Sequence, residues 1–286
     1  PSPSDRLGVA GGANEEHMGV REAGASGMRA IDAMLSAALE AARQAGDELL
    51  ARAAQQREVA SKGYRDDVTD ADTAAEQIVL AVLRAHFPQD AILSEEAGAL
   101  EGGGCLWIVD PLDGTTNYAR GHPTFCVAVA AVVEGTPLVG VIHDPLRGHT
   151  FAARRGGGAA LNGRAIRVSA TAHLIDSVIG LDWAKSDQDR TETLRRLEAL
   201  APRCRTVRSL GSAALALAYI AAGWLDAYFA TGLHPWDTAA ASLLIAEAGG
   251  TISGWEGESW IVGQPAILAT NGLLHSAILQ TWHAPP

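Results

Sequence analysis

The chain has 286 residues, is 48% hydrophobic and carries a formal charge of −11. That length and apolar content are enough for a large buried core, built as one big domain or as two halves. The acidic balance disfavours a nucleic-acid backbone or an anionic membrane as the main partner, and suits carboxylates gathered around cations. Cys105, Cys126 and Cys204 lie far apart with no CxxC pair, which reads as reduced, mostly buried thiols in a cytoplasmic protein. No apolar run reaches the roughly 18 residues of a membrane helix, and no basic-then-apolar segment suggests a secretory leader.

Residues 1–28 are rich in Gly, Ala, Ser and Pro without hydrophobic periodicity, and read as a flexible tail. From Met28 to about Gln56 the pattern changes. Ile31, Met34, Leu35, Ala38, Leu39, Ala42, Leu49 and Leu50 recur mostly at three- and four-residue intervals, predicting an amphipathic helix. Thr69 or Asp70 then caps a second helix running to about His86, ahead of Pro88. Asp72, in its first turn, reads on its own as an ordinary partner of the helix dipole. Ala91-Ile92-Leu93 is a short strand ending in Ser94-Glu95-Glu96.

Leu106 to Asp110 is a second buried strand, and it also ends in carboxylates. In Asp110-Pro111-Leu112-Asp113-Gly114, the proline and the glycine are expected to stop the strand. Gly114-Thr115-Thr116-Asn117 then leads into a helix. Turn formation alone would account for two aspartates here. Hard cations such as Mg²⁺ also want such carboxylate and carbonyl oxygens, however, and a helix start offers N–H groups to phosphate. Together they point to metal-dependent phosphate chemistry.

Thr124 to Val133 and Leu138 to His143 form a predicted hairpin, followed by strands at Phe151 to Ala153 and Ala165 to Val168. A tight turn at Asn162-Gly163 separates those last two. The first half therefore reads as an antiparallel sheet carrying helices. From about His173 strands and helices alternate, which predicts an α/β layer. The expected organisation is a tail at 1–28, an α+β part at 29–172 and a smaller α/β part at 173–286. Asp237, in His234-Pro235-Trp236-Asp237, opens a helix in that second part, where capping alone would explain it.

Four segments then match one family in order. They are Lys62 to Asp72 with its Val68-Thr69, Ser94-Glu95-Glu96, Trp107 to Tyr118, and Trp236-Asp237 running on to Glu247-Ala248-Gly249-Gly250. The chain resembles the inositol monophosphatase family of Mg²⁺-dependent, Li⁺-sensitive phosphatases over roughly residues 30–280. The resemblance implies a layered sandwich similar to that of fructose-1,6-bisphosphatase. It implies metal ligands Glu95, Asp110, Asp113 and Asp237, with the Leu112 carbonyl, around two or three Mg²⁺. Asp72 and Thr115, with Glu95, would serve catalysis at the attacking water. Gly114, Thr115 and Thr116 would hold phosphate, and Gly211 and Ser212 would line the far side of the substrate. Glu96 would support its neighbour.

The implied partners are a small phosphate monoester and a second copy of the chain in a homodimer, with no nucleic acid and no membrane. The charges agree: four carboxylates and a phosphate monoester of about −2 are balanced by two or three Mg²⁺. No Cys-x5-Arg or Asp-x-Asp-x-Thr arrangement suggests a phosphoenzyme.

Three positions depart from the family pattern. Ser94 and Pro235 are mild changes. Ala230 stands where inositol-selective members resemble one another in carrying a Glu that contacts substrate hydroxyls. Histidinol-phosphate, fructose-1,6-bisphosphate and 3′-phosphoadenosine phosphatases are rival readings of the same chemistry. A non-catalytic metal-binding regulator on this scaffold is the rival from another class.

Overall fold

The computed structural model describes residues 13–53, 59–63 and 66–284, with side chains at 30–53 and from 69 onward. The expected tail at residues 1–12 and the expected helix end at Gln56 lie outside the described residues, as do the side chains of Lys62, Asp66 and Val68. The first helix, α1 (Ala13–Ala53), starts well before Met28. The tail expected at 13–28 is therefore corrected to helix. Its Ala, Glu, Met and Arg residues are strong helix formers, and propensity needs no apolar periodicity. A short hairpin follows, β1 (Val59–Gly63) with β2 (Asp66–Thr69), and then α2 (Asp70–His86), capped by the Thr69 side chain.

Next come β3 (Asp90–Ser94), β4 (Gly98–Leu100) and β5 (Gly103–Asp113), the five-residue α3 (Thr115–Ala119), and the strands β6 (Cys126–Val133), β7 (Thr136–Asp144), β8 (His149–Arg154), β9 (Ala159–Leu161) and β10 (Arg164–Ala165). They form one eight-stranded sheet in the order β10-β9-β8-β7-β6-β5-β3-β4. The sheet is mixed rather than antiparallel throughout, because β3 and β5 run parallel. The crossover joining them carries β4, which returns antiparallel to β3.

The second part alternates as expected: β11 (Val178–Leu181), α4 (Asp187–Leu200), β12 (Thr206–Arg208), α5 (Ala213–Ala221), β13 (Ala227–Ala230), α6 (Pro235–Glu247), β14 (Thr251–Ser253), β15 (Ile267–Thr270) and α7 (His275–His283). Its five-stranded sheet has the order β12-β11-β13-β15-β14 and is also mixed.

Five layers result. Along β6, Cys126, Ala128 and Ala130 pack toward α5 and α6, while Val127, Val129 and Ala131 pack with α1 and α2. A strand buried on both faces must be apolar at every position, and this explains the unbroken run CVAVAAVV. Tyr228 and Ala230 of β13 join the α5–α6 core, and Ala227 and Phe229 face Leu200 of α4 and Ile278 of α7 on the other side. The alanine-rich α5 and α6 are thus the shared middle layer, where small side chains let two sheets approach the same helices. Among the described residues, no helix is long and apolar enough to cross a membrane.

Candidate functional site

Strand β5 does not stop at Pro111. The ladder to β6 continues across an irregularity between Asp110 and Asp113, and Asp113 pairs with Cys126. Proline cannot donate to a ladder but is tolerated at a bulge, so the expected strand end becomes a kink that turns both carboxylates into one pocket. Side chains alternate before the kink: Trp107 and Val109 pack with α2, whereas Ile108 lies on the α5–α6 face. Asp110 has the parity of Ile108 and is 1% exposed.

Gly114, with φ +98°, turns the chain from β5 into α3. A Cβ there would lie 2.9 Å from the Thr124 carbonyl and 3.2 Å from that of Gly211, so only glycine fits. Asn117 of α3 secures the same corner, its side-chain amide donating to the carbonyls of Thr124 (2.8 Å) and Leu210 (2.8 Å). That clamp was not foreseen, although Asn117 lies within the central sequence motif.

One carboxylate oxygen from each of Asp110, Asp113 and Asp237 lies within 4.8 Å of the other two. Asp113 and Asp237 are each held at a helix start. Asp113 accepts from the Ser212 hydroxyl (2.6 Å) and from the backbone N–H groups of Ala214 (2.8 Å) and Ala213 (3.2 Å) at the start of α5. Asp237 sits in the first turn of α6 and accepts from the His234 N–H at 2.6 Å. The imidazole of His234 stacks on Trp236, with centroids 4.7 Å apart.

Glu95 lines the same pocket from the end of β3, and its charge acts on both Asp110 and Asp237. It stands outside the tight group of three. Burial, and then the neighbouring carboxylates, push Asp110 and Asp237 well above the usual carboxylate range. Burial raises Asp113 as well, and its hydrogen-bond donors oppose that. Buried like charges of this kind call for a counter-cation, and all the donors are hard oxygens suited to Mg²⁺.

Asp72 has two tasks. One oxygen accepts from the Thr69 N–H (2.8 Å) and hydroxyl (2.6 Å), closing the capping box of α2. The other lies 3.0 Å from the Thr115 hydroxyl, which is also 3.1 Å from the Leu112 carbonyl. The single hydroxyl proton serves one of these acceptors at a time. A cation on the Leu112 carbonyl would assign that proton to Asp72, leaving the Thr115 oxygen free to accept.

The cavity above these groups measures about 510 Å³ and is also lined by Thr116, Gly211, Ser212, Asp182, Lys185 and Arg190. Ser212 lines the cavity, and its hydroxyl also donates to Asp113. Asp182 accepts from the Gly211 N–H (2.7 Å), the Ser209 hydroxyl (3.1 Å) and the Tyr228 phenol (3.2 Å). Burial holds its carboxyl up at about 6. Nothing in the spacing marked Lys185, Arg190 or the exposed Trp183 as pocket residues. All three lie at or near the start of α4, and only the fold brings that helix to the site.

A layered α/β scaffold with a buried acidic centre between its two sheets defines the phosphatase type of architecture. The Inositol monophosphatase family model matches residues 30–284, and the chain belongs to that family. It is 42% identical to Nus factor SuhB of Pseudomonas aeruginosa over 265 residues, covering 88% of this chain and 97% of that protein. Among solved structures it is similar to the extragenic suppressor protein suhB of Bartonella henselae (TM-score 0.86, 34% identity, 89% of this chain and 100% of that one). It is also similar to an inositol monophosphatase from Anabaena (Nostoc) sp. PCC 7120 (TM-score 0.79, 38% identity, 88% and 96%).

Proposed function

We propose that the chain is a Mg²⁺-dependent phosphomonoesterase of the inositol-1-phosphatase type, acting on inositol monophosphate and on other small phosphate esters. The observation that carries this reading is the meeting of the Asp110, Asp113 and Asp237 carboxylates beside a Thr115–Asp72 hydrogen bond. Glu95, Asp110, Asp113, Asp237 and the Leu112 carbonyl would hold two or three Mg²⁺. When bound, Mg²⁺ supplies positive charge against the phosphate and acidifies water.

The remaining work belongs to the chain. Thr115, with its proton on Asp72, accepts a hydrogen bond from the attacking water and aims its lone pair at phosphorus. Asp72 is the sink for the charge that develops along that hydrogen bond. Gly114, Thr115 and Thr116 hold the phosphate in line for displacement.

The far wall sets the substrate range. Ala230 is 1% exposed and offers no acceptor to a substrate hydroxyl. Thr231 and Asp182, the latter already engaged by three donors, are the pocket groups that could supply that acceptor. Lys185 and Arg190, which also line the cavity, favour substrates whose leaving alcohol carries a second acidic group, as fructose 1,6-bisphosphate does. The reading extends to inhibition by Li⁺, a homodimer and a cytoplasmic setting, on the strength of the family.

The test is phosphate release from about ten monoesters with Mg²⁺ and with EDTA. Metal-dependent turnover of several esters supports the reading, and silence toward all of them overturns it.

Relatives named Nus factor SuhB favour a second reading, in which the chain acts as a factor of that kind. Asp110→Asn, which keeps the hydrogen bond from the Leu112 N–H, separates the two in a strain lacking such a factor: that role survives the substitution, whereas a phosphatase role does not.

A further inference from the structure

One buried carboxylate close to the site takes no part in the mechanism above. Glu76 lies on α2 one turn after Asp72 and is 5% exposed. Residues four apart share a helix face, so both carboxylates point from α2 toward the ends of β3 and β5. One oxygen of Glu76 accepts three hydrogen bonds, from the Ser94 hydroxyl (2.5 Å), the Ala97 N–H (2.8 Å) and the Glu96 N–H (3.2 Å). Ser94 itself is fully buried. Glu95 stands between two of these donors, so its backbone is fastened on both sides by a single side chain. The Glu95 N–H adds a bond to the Val109 carbonyl at 3.3 Å, next to Asp110.

We infer that Glu76 is a positioning residue for Glu95, and that one turn of α2 sets the metal-facing carboxylate and the Thr115–Asp72 pair together. The inference rests on reading the acidic cluster as a metal centre. A ligand that must approach the carboxylates of Asp110, Asp113 and Asp237 is pushed outward by their charge when no cation is present. Three bonds to a buried acceptor oppose that drift, two of them from rigid backbone. Ser94, a mild departure from the family pattern at the sequence level, thereby acquires a use: its hydroxyl is one of the three donors. Partners behind metal ligands commonly change metal affinity by about 10–100-fold when removed.

The experiment uses the full chain and Mn²⁺ alone, titrated by the EPR signal of free Mn²⁺, with hydrogen exchange followed at the Glu96 and Ala97 amides. Glu76→Ala is expected to weaken the weaker Mn²⁺ site by about tenfold and to speed exchange at those two amides, leaving the β6–β7 ladder protected. Glu76→Gln, which keeps an acceptor oxygen in place, should recover most of the affinity. In a Glu95→Gln background, Glu76→Ala should add little further loss, because a positioning residue acts only through the group it positions. A diffuse electrostatic role would instead persist in that background. Unchanged Mn²⁺ binding in folded Glu76→Ala, or full additivity with Glu95→Gln, overturns the inference. Should Glu76→Ala fail to fold, Ser94→Ala removes one donor only; an intermediate loss of affinity supports the inference and none refutes it. A parent chain that binds no Mn²⁺ refutes the metal reading itself.

Discussion

Replacing Asp110 by Asn should stabilise the metal-free protein while destroying its metal site. Asp110 is buried with Asp113 and Asp237 oxygens within 4.8 Å. Unit charges at that distance repel by about 3.5 kcal/mol at an effective dielectric of about 20. Protonation limits what the fold actually bears, since a buried acid neutralises instead. A net gain of about 1–3 kcal/mol at pH 8 is therefore expected for the Asn variant. At about 2 °C per kcal/mol for a chain of this size, that is a rise in Tm of about 2–6 °C. Asn keeps the hydrogen bond that Asp110 accepts from the Leu112 N–H, so the kink is preserved.

The pH dependence has a definite sign. Burial and neighbouring carboxylates raise the folded-state values of Asp110 and Asp237, and Asp182 stands at about 6. A raised acid adds stability fully below its unfolded value, near 4, and loses it as pH climbs through the folded value. Metal-free parent protein should thus melt lower at pH 8 than at pH 5, with about 1.4 kcal/mol of the loss from Asp182, whose folded value lies about one unit above pH 5. The advantage of the Asn variant should shrink at pH 5. Scanning calorimetry in EDTA and in Mg²⁺ at both pH values is the assay, and Mg²⁺ should raise the Tm of the parent much more than that of the variant. An Asn variant that melts below the parent in EDTA at pH 8 would refute the reasoning.

The other predictions concern single groups. Thr115→Ala should lower kcat by about a hundredfold with the Mg²⁺ half-saturation unchanged, because only the water-orienting hydroxyl is lost; an equal rise in that half-saturation would contradict the assignment. Ala230→Glu should raise the kcat/KM ratio of inositol 1-phosphate over glycerol 2-phosphate by about tenfold or more, and an unmoved ratio would make position 230 irrelevant to selectivity. Asn117→Ala strips the carbonyls of Thr124 and Leu210 of a shared donor and should cost about 1–3 kcal/mol in urea unfolding; a loss below about 0.5 kcal/mol would show that the corner does not depend on the clamp.

How much the sequence disclosed depended on distance along the chain. Trp107 to Asn117 carried its meaning locally: a strand, a kink with two carboxylates and a glycine turn are successive residues, so their chemistry could be read in place. Asp237 could not be brought to Asp113 by any spacing argument. As an isolated first-turn Asp it looks like a cap, which it also is, through the His234 N–H. Only the family pattern joined the two. Asp72 likewise serves the capping box and the Thr115 hydroxyl at once, so the bland reading and the functional one were never exclusive.

Glu76 was passed over because a Glu on an amphipathic helix usually faces water; its place four residues after Asp72 was the available signal. The start of α1 was missed for a different reason, since the helix there runs through three glycines and carries none of the apolar periodicity that marks an amphipathic face. Strand β5 outran Pro111 because a bulge absorbs the missing donor, and a bulge leaves no mark in composition.

The central claim is that Glu95, Asp110, Asp113 and Asp237 jointly hold divalent cations at the phosphate site. Crystals of the full chain soaked in Mn²⁺ and inorganic phosphate test it most directly by anomalous diffraction. The account predicts at least two Mn²⁺ peaks about 3.5–4 Å apart, bounded by those four carboxylates and the Leu112 carbonyl, with phosphate against Gly114 to Thr116. A pocket that stays free of Mn²⁺, or Mn²⁺ bound elsewhere with these carboxylates unengaged, would contradict it.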